Sequence, residues 1–150
     1  MSTFDAAAFL DTTTTEASST TSLPVPVGDY TAIIDDVKPR QWTSKEDPSK
    51  TGVALDIFWA IDSQEVKEAL GRDKVTCKQG IMLELLDNGA LDVGRGRNVQ
   101  LGKLREATGL NTPGQPFSFA MLKGRLAKVS VSHRVDKDVI YSEVKAVFPL

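Results

Sequence analysis

Between Val53 and Ile61 the chain alternates large apolar residues with smaller or polar ones. Val53, Leu55, Ile57, Trp59 and Ile61 share one face, and Ala54, Asp56, Phe58 and Ala60 share the other. A period of two is the pleat of a β-strand, and no helix can gather those five side chains on one side. A strand with one greasy face must be covered by other elements, so the segment commits the chain to a sheet with a core. Tyr30–Val37, rich in β-branched and aromatic residues, reads as a strand before it. Lys74–Leu85 reads as a third, with Val75, Cys77, Ile81, Leu83 and Leu85 on one side and Lys74, Thr76 and Lys78 on the other. Arg125–Val135 and Val139–Phe148, joined by Asp136-Lys137-Asp138, read as a closing hairpin.

Two helices interrupt these strands. Asp62-x-x-Glu65 has the form of a capping box and opens a short helix that ends at Gly71. Asn98 is placed to cap a helix through Thr108, stopped by Gly109, with Val99, Leu101, Leu104 and Ala107 mostly on one face. Pro113–Gly124 is an apolar connector with room for one helical turn. Three strands, a helix and two strands, with a small extra helix after the second strand, is the order of a five-stranded OB-like barrel. The expected fold class is therefore mainly β. Another small barrel or a mixed sandwich shares the same element order and stays open.

The first 28 residues differ in kind. Residues 11–22 (DTTTTEASSTTS) are low in complexity and lack apolar periodicity, so they cannot bury enough surface to offset their ordering entropy. Ahead of them, Phe4, Phe9 and Leu10 form a short apolar cluster suited to docking on a surface, since so short a helix is marginal alone. The expected organisation is an arm over 1–28, flexible or ordered by a partner, and one β domain over 29–150. The arm also offers a route to homo-oligomers.

Composition removes several functions. No apolar run is long enough to span a membrane, Asp5, Asp11 and Glu16 fall where a secretory signal would be basic and then greasy, and the lone cysteine suits a reducing compartment, so an intracellular setting is expected. One cysteine and one histidine allow neither an intrachain disulfide nor an ordinary zinc site. Cys77 has the parity of an apolar face, and His133 that of Val129 and Val131, so both read as structural. Asp35 and Asp36 are adjacent in a strand and point apart, which prevents them from sharing a metal. Phosphate-loop and nucleophile-elbow patterns are absent from the sequence. Neither catalysis nor a cofactor is expected.

Binding has more to work with. In an OB-like barrel the ligand crosses the second and third strands and is flanked by loops. Here that face would carry Phe58, Lys74, Thr76 and Lys78. The polar stretch 38–52, expected as a loop, sets Lys38, Arg40, Lys45 and Lys50 around Trp42 against Glu46 and Asp47. Cations steer a phosphate backbone and aromatic rings stack its bases, which is the mixture single strands require. Gly94-Arg95-Gly96-Arg97 could add backbone N–H groups and two guanidinium forks. Each feature also has a plainer reading. Phe58 could pack under the extra helix, Trp42 could latch the loop, and the lysines could protect a strand edge. Charge decides nothing: the whole chain is at −2, with three acids and no base in residues 1–28 and 18 bases against 17 acids in the remainder.

Four segments together resemble a family of small bacteriophage proteins associated with single-stranded-DNA-binding OB-folds. They are Pro26-Val27-Gly28-Asp29-Tyr30-Thr31-Ala32-Ile33, the step from Lys50-Thr51-Gly52 to Val53-Ala54-Leu55, Gly102-Lys103-Leu104-Arg105-Glu106-Ala107, and Gly124-Arg125-Leu126-Ala127-Lys128-Val129. The resemblance spans roughly residues 24–148. It implies a phage protein of the host cytoplasm that binds single-stranded DNA without base specificity, near replication or recombination. Many such proteins recruit partners through an acidic C-terminal tail. This sequence closes on Val144-Lys145-Ala146-Val147-Phe148-Pro149-Leu150, so recruitment by that route is not expected. The arm supports a second expectation, a capsid cement or decoration protein of the virion, held to the major capsid protein by Phe4, Phe9 and Leu10.

Overall fold

A computed structural model of the chain describes residues 3–150; Met1 and Ser2, the start of the expected arm, lie outside the described residues. Five strands form a mixed sheet: β1 (Gly28–Thr43), β2 (Thr51–Ile61), β3 (Thr76–Met82), β4 (Leu126–Asp136) and β5 (Val139–Phe148). They follow one another as β1-β2-β3-β5-β4, and the sheet closes in a ring. The long β1 makes closure possible, since Gly28–Ile33 pair with β4 while Ala32–Thr43 pair with β2. At the opposite seam β3 meets β5 in parallel through Lys78 and Glu143. The expected order of strands and helices is the observed one.

Several boundaries differ from expectation. β1 runs on through Thr43, so Lys38, Arg40 and Trp42 stand on a strand and the loop to β2 shrinks to residues 44–50. Cross-strand pairing as far as Thr43 with Thr51 outweighs the turn-forming composition of the stretch. β3 is shorter than expected, leaving Lys74 ahead of it and Leu85 on an isolated bridge to Leu91. The helix after β2, α2 (Gln64–Leu70), is capped by Ser63, whose side chain accepts from the Val66 N–H, rather than by Asp62; Gly71 ends it at φ +66°.

A bulge at Asp35 decides which residues of β1 face in. Ile34 pairs with Trp59 and Asp36 with Phe58, so Asp35 is the extra residue. Before it, Ala32 and Ile34 are buried; after it, Val37 packs on the core while Lys38 and Arg40 face out. Were Asp35 paired in regular register instead of bulged, those two cations would point into the core. A second irregularity on β5 leaves Lys145 unpaired between Val144 and Ala146.

The inside of the ring is apolar with one polar pair. Trp59 is fully buried, and its indole N–H donates to Gln79 Oε1 at 2.9 Å. Buried polar groups are tolerated when they find such partners. α3 (Val99–Ala107) contributes Leu101, Leu104 and Ala107 to the core while Val99 is exposed. Asn98 sits at the N-cap position in the left-handed region (φ +50°), but its side chain does not cap the helix. It instead receives the Glu84 N–H at 2.7 Å and donates to the carbonyls of Glu84 and Asp92 at 2.8 Å each, bracing the connection from β3. A 3₁₀ turn over Phe119–Leu122 buries Leu122 beneath β1. Lys137 and Asp138, both at positive φ, make the two-residue β4–β5 turn.

In the N-terminal segment, α1 (Ala6–Leu10) is capped by Asp5 and stapled by Phe4 against Phe9, ring centroids 5.6 Å apart. Phe4, Phe9 and Leu10 are all exposed. Residues 22–25 lie against the ring. Arg72 donates to Ser22 Oγ, the Val25 N–H donates to Ser142 Oγ, and the His133 Nε2–H donates to the Val25 carbonyl at 2.6 Å. Val25 itself is buried.

Candidate nucleic-acid interface

The outward face of β1, β2 and β3 is assembled by register. Lys38 lies opposite Asp56, and Asp36 opposite Phe58, on the β1 side. Lys78 pairs with Phe58, and Gly80 with Asp56, on the β3 side. Directly opposed residues share a face, so Lys38, Arg40, Asp56, Phe58 and Lys78 stand together. The β4–β5 hairpin adds Arg134 and Tyr141, which oppose each other across it. Between these walls runs a cleft of about 490 Å³ lined by Arg40, Asp56, Lys78, Gly80, Arg134, Tyr141 and Glu143 among others.

The charges in the cleft are interlocked. Asp56, almost wholly buried, receives Arg40 Nε at 3.2 Å and has the Lys78 ammonium at 3.7 Å. Arg134 donates to Glu143 at 2.6 Å, and its guanidinium lies 4.7 Å from the centre of the Tyr141 ring. Lys38 sits 5.5 Å over the Phe58 ring. Each aromatic therefore already carries a cation on its face, an arrangement in which a nucleobase and a phosphate can take over the ring and the charge together. The Arg134–Glu143 pair is exposed on both sides and contributes little to stability, so Arg134 is cheap to redeploy. Arg40 and Lys78, by contrast, offset the charge of a buried carboxylate and leave it only if another donor takes their place.

Trp42 has a different setting. It pairs with Gly52 across β1 and β2, and a Cβ on Gly52 would fall 2.4 Å from the indole. The ring therefore lies over the glycine backbone and covers that end of the sheet. Its Nε1 is buried without a hydrogen-bond partner. Trp42 thus acts at least as a latch, half-buried at the edge of the cleft face.

The other expected binding residues do not gather here. Lys45 and Lys50 are exposed in the loop after β1. Lys74 is held by Asp35 at 2.8 Å, the bulge residue. Arg97 is engaged by Glu84 at 3.0 Å and Asp92 at 3.8 Å, and the Gly94 N–H donates to Asp92, while Arg95 stands exposed. The Asn98 N–H and the Arg97 guanidinium hold the Glu84 carboxyl below its ordinary range. Arg134 and Tyr141 were missed by sequence reasoning. Both sit in an ordinary strand pattern, and only closure of the ring brings their hairpin beside β3.

Cys77 is buried, and burial pushes its thiol up to about 11. A thiol held protonated at neutral pH is a poor nucleophile and metal ligand. Among the described residues no group of three or more His, Cys, Asp or Glu is placed to hold a metal ion, and no helix is long and apolar enough to cross a membrane. Comparison with protein-family models and with curated proteins returns no match to the chain.

Proposed function

We propose that the chain is a single-stranded DNA-binding protein built on an OB-like barrel, acting by phosphate contacts and base stacking. The observation that carries this reading is the cleft, where Arg40, Lys78 and Arg134 line the space beside Tyr141 of β5, with Phe58 next to it on the outer face of β2, paired to Lys78 and under Lys38. The strand order and the parallel β3–β5 seam support the OB-like assignment, because that topology presents its ligand across these same strands. The bacteriophage resemblance supports a host-cytoplasmic setting near replication or recombination.

Titrating an oligo-dT strand across a salt series tests the proposal. Affinity falls steeply with salt, and Lys38→Ala or Lys78→Ala each flattens the slope by about 0.7, the share of one phosphate on a single strand. Absence of binding at low salt refutes it.

A second reading, attachment to a phage capsid, is favoured by α1 and the Phe4 before it, since Phe4 and Phe9 are 74% and 63% exposed. In that case purified particles carry the protein, and Phe9→Ser with Leu10→Ser strips it from them. Particles that lack the wild-type chain dispose of this alternative.

A further inference from the structure

The cleft floor holds an acceptor that the fold does not use. A carboxylate offers about four lone-pair directions, and burial makes an unused one costly. The Asp56 side chain is 9% exposed; Oδ2 takes Arg40, and Oδ1 has no hydrogen-bond partner. Lys78 at 3.7 Å from Oδ1 supplies charge but stands beyond hydrogen-bond range. On the β3 side the partner of Asp56 is Gly80, where an added Cβ would lie 3.8 Å from Oδ1. The glycine itself puts no side chain there, although Oδ1 is shielded from solvent, with the Lys78 ammonium as its charged neighbour. Phe58 follows two residues along the same face, about 7 Å away by strand rise.

We propose that Asp56 is a base-reading residue, accepting N–H groups from the edge of a base lodged in the cleft, with guanine preferred and thymine disfavoured. This rests on the strand-binding reading above. Guanine alone presents two adjacent in-plane donors, N1–H and the exocyclic amino group, which match the two oxygens of a carboxylate. Thymine offers one N–H between two carbonyl oxygens, which the carboxylate repels. Adenine and cytosine offer an amino group beside a ring-nitrogen lone pair and fall between. Lys78, half-exposed and held by charge alone, rotates off Oδ1 to a backbone phosphate as the base arrives.

The test uses the full chain and three strands of equal length: oligo-dT, the same strand with isolated guanines, and one with inosine at those positions, which lacks the amino group. The guanine strand binds about tenfold more tightly than oligo-dT, and the inosine strand loses part of that gain. Asp56→Asn brings the ratio of guanine-strand to oligo-dT affinity close to unity, chiefly by weakening the guanine strand. Gly80→Val adds a side chain beside Oδ1 while keeping the carboxylate itself, and it also lowers the preference. Equal wild-type binding of oligo-dT and the guanine strand overturns the inference and leaves strand binding intact. A uniform change on all strands in Asp56→Asn also overturns it, by making Asp56 only an anchor for the two cations. Failure to bind any strand overturns the function reading itself.

Discussion

Replacing Trp59 with alanine lowers the free energy of unfolding by about 3–5 kcal/mol, the range for truncating a large buried aromatic. Folded domains are marginally stable, so this is a large share of the total. Two effects add. The indole is fully buried against the inner faces of β1 and β3, and its removal leaves a cavity. The Gln79 amide oxygen, inside the ring at 8% exposure, also loses its donor. Trp59→Phe separates the terms. It restores much of the volume and costs about 1–3 kcal/mol for the orphaned amide. Gln79→Leu in the Trp59→Phe background then recovers part of that loss, because no polar group is left stranded. Urea melts of the four chains read these differences, and a loss below about 1 kcal/mol in Trp59→Ala contradicts the assigned core.

The second large effect falls on binding. Phe58→Ala weakens oligo-dT binding by about 5- to 150-fold, the equivalent of the 1–3 kcal/mol assigned to one stacked base. Tyr141→Ala has an effect of the same order, and the two add if each ring carries its own base. Stacking involves no counterion release, so both variants shift affinity without changing the salt slope, unlike Lys38→Ala or Lys78→Ala. That difference separates a lost platform from a lost charge. Phe58 is only half-buried, and the melting transition of the variant stays near that of the wild type. Unchanged affinity in Phe58→Ala and Tyr141→Ala together removes the cleft from the path of the strand.

Local pattern was a good guide where one face of an element is buried. The alternation of Val53–Ile61 placed Leu55, Ile57, Trp59 and Ile61 inside, and all four are buried. The parity of β3 put Cys77 and Ile81 inward in the same way. Gln79 shares that parity and is inward too, a polar exception the sequence reading did not name, and it satisfies Trp59. Pattern misled where pairing across strands outweighed composition. Residues 38–43 read as loop because proline and polar residues dominate them, yet they pair with Thr51–Asp56. Asn98 read as a helix cap because its type and position fit, but its side chain is committed to Glu84 and Asp92.

The candidate site divides along the same line. The presence of Phe58, Lys78 and the Lys38–Trp42 cations and indole near one another in the chain was legible, because strand parity and loop composition are local properties. By itself the sequence determined a mainly β chain with five strands in order, the inward set of the central strands, and an N-terminal segment of different character. The tertiary structure decided the rest. One extra residue at Asp35 turned Lys38 and Arg40 outward, and ring closure brought Arg134 and Tyr141 opposite β3. Pairing with Gly80 then set the buried carboxylate of Asp56 on the cleft floor with one oxygen lacking a hydrogen-bond partner. Each of these depends on which residue of a distant strand lies opposite, and register between strands is set by packing of the whole sheet.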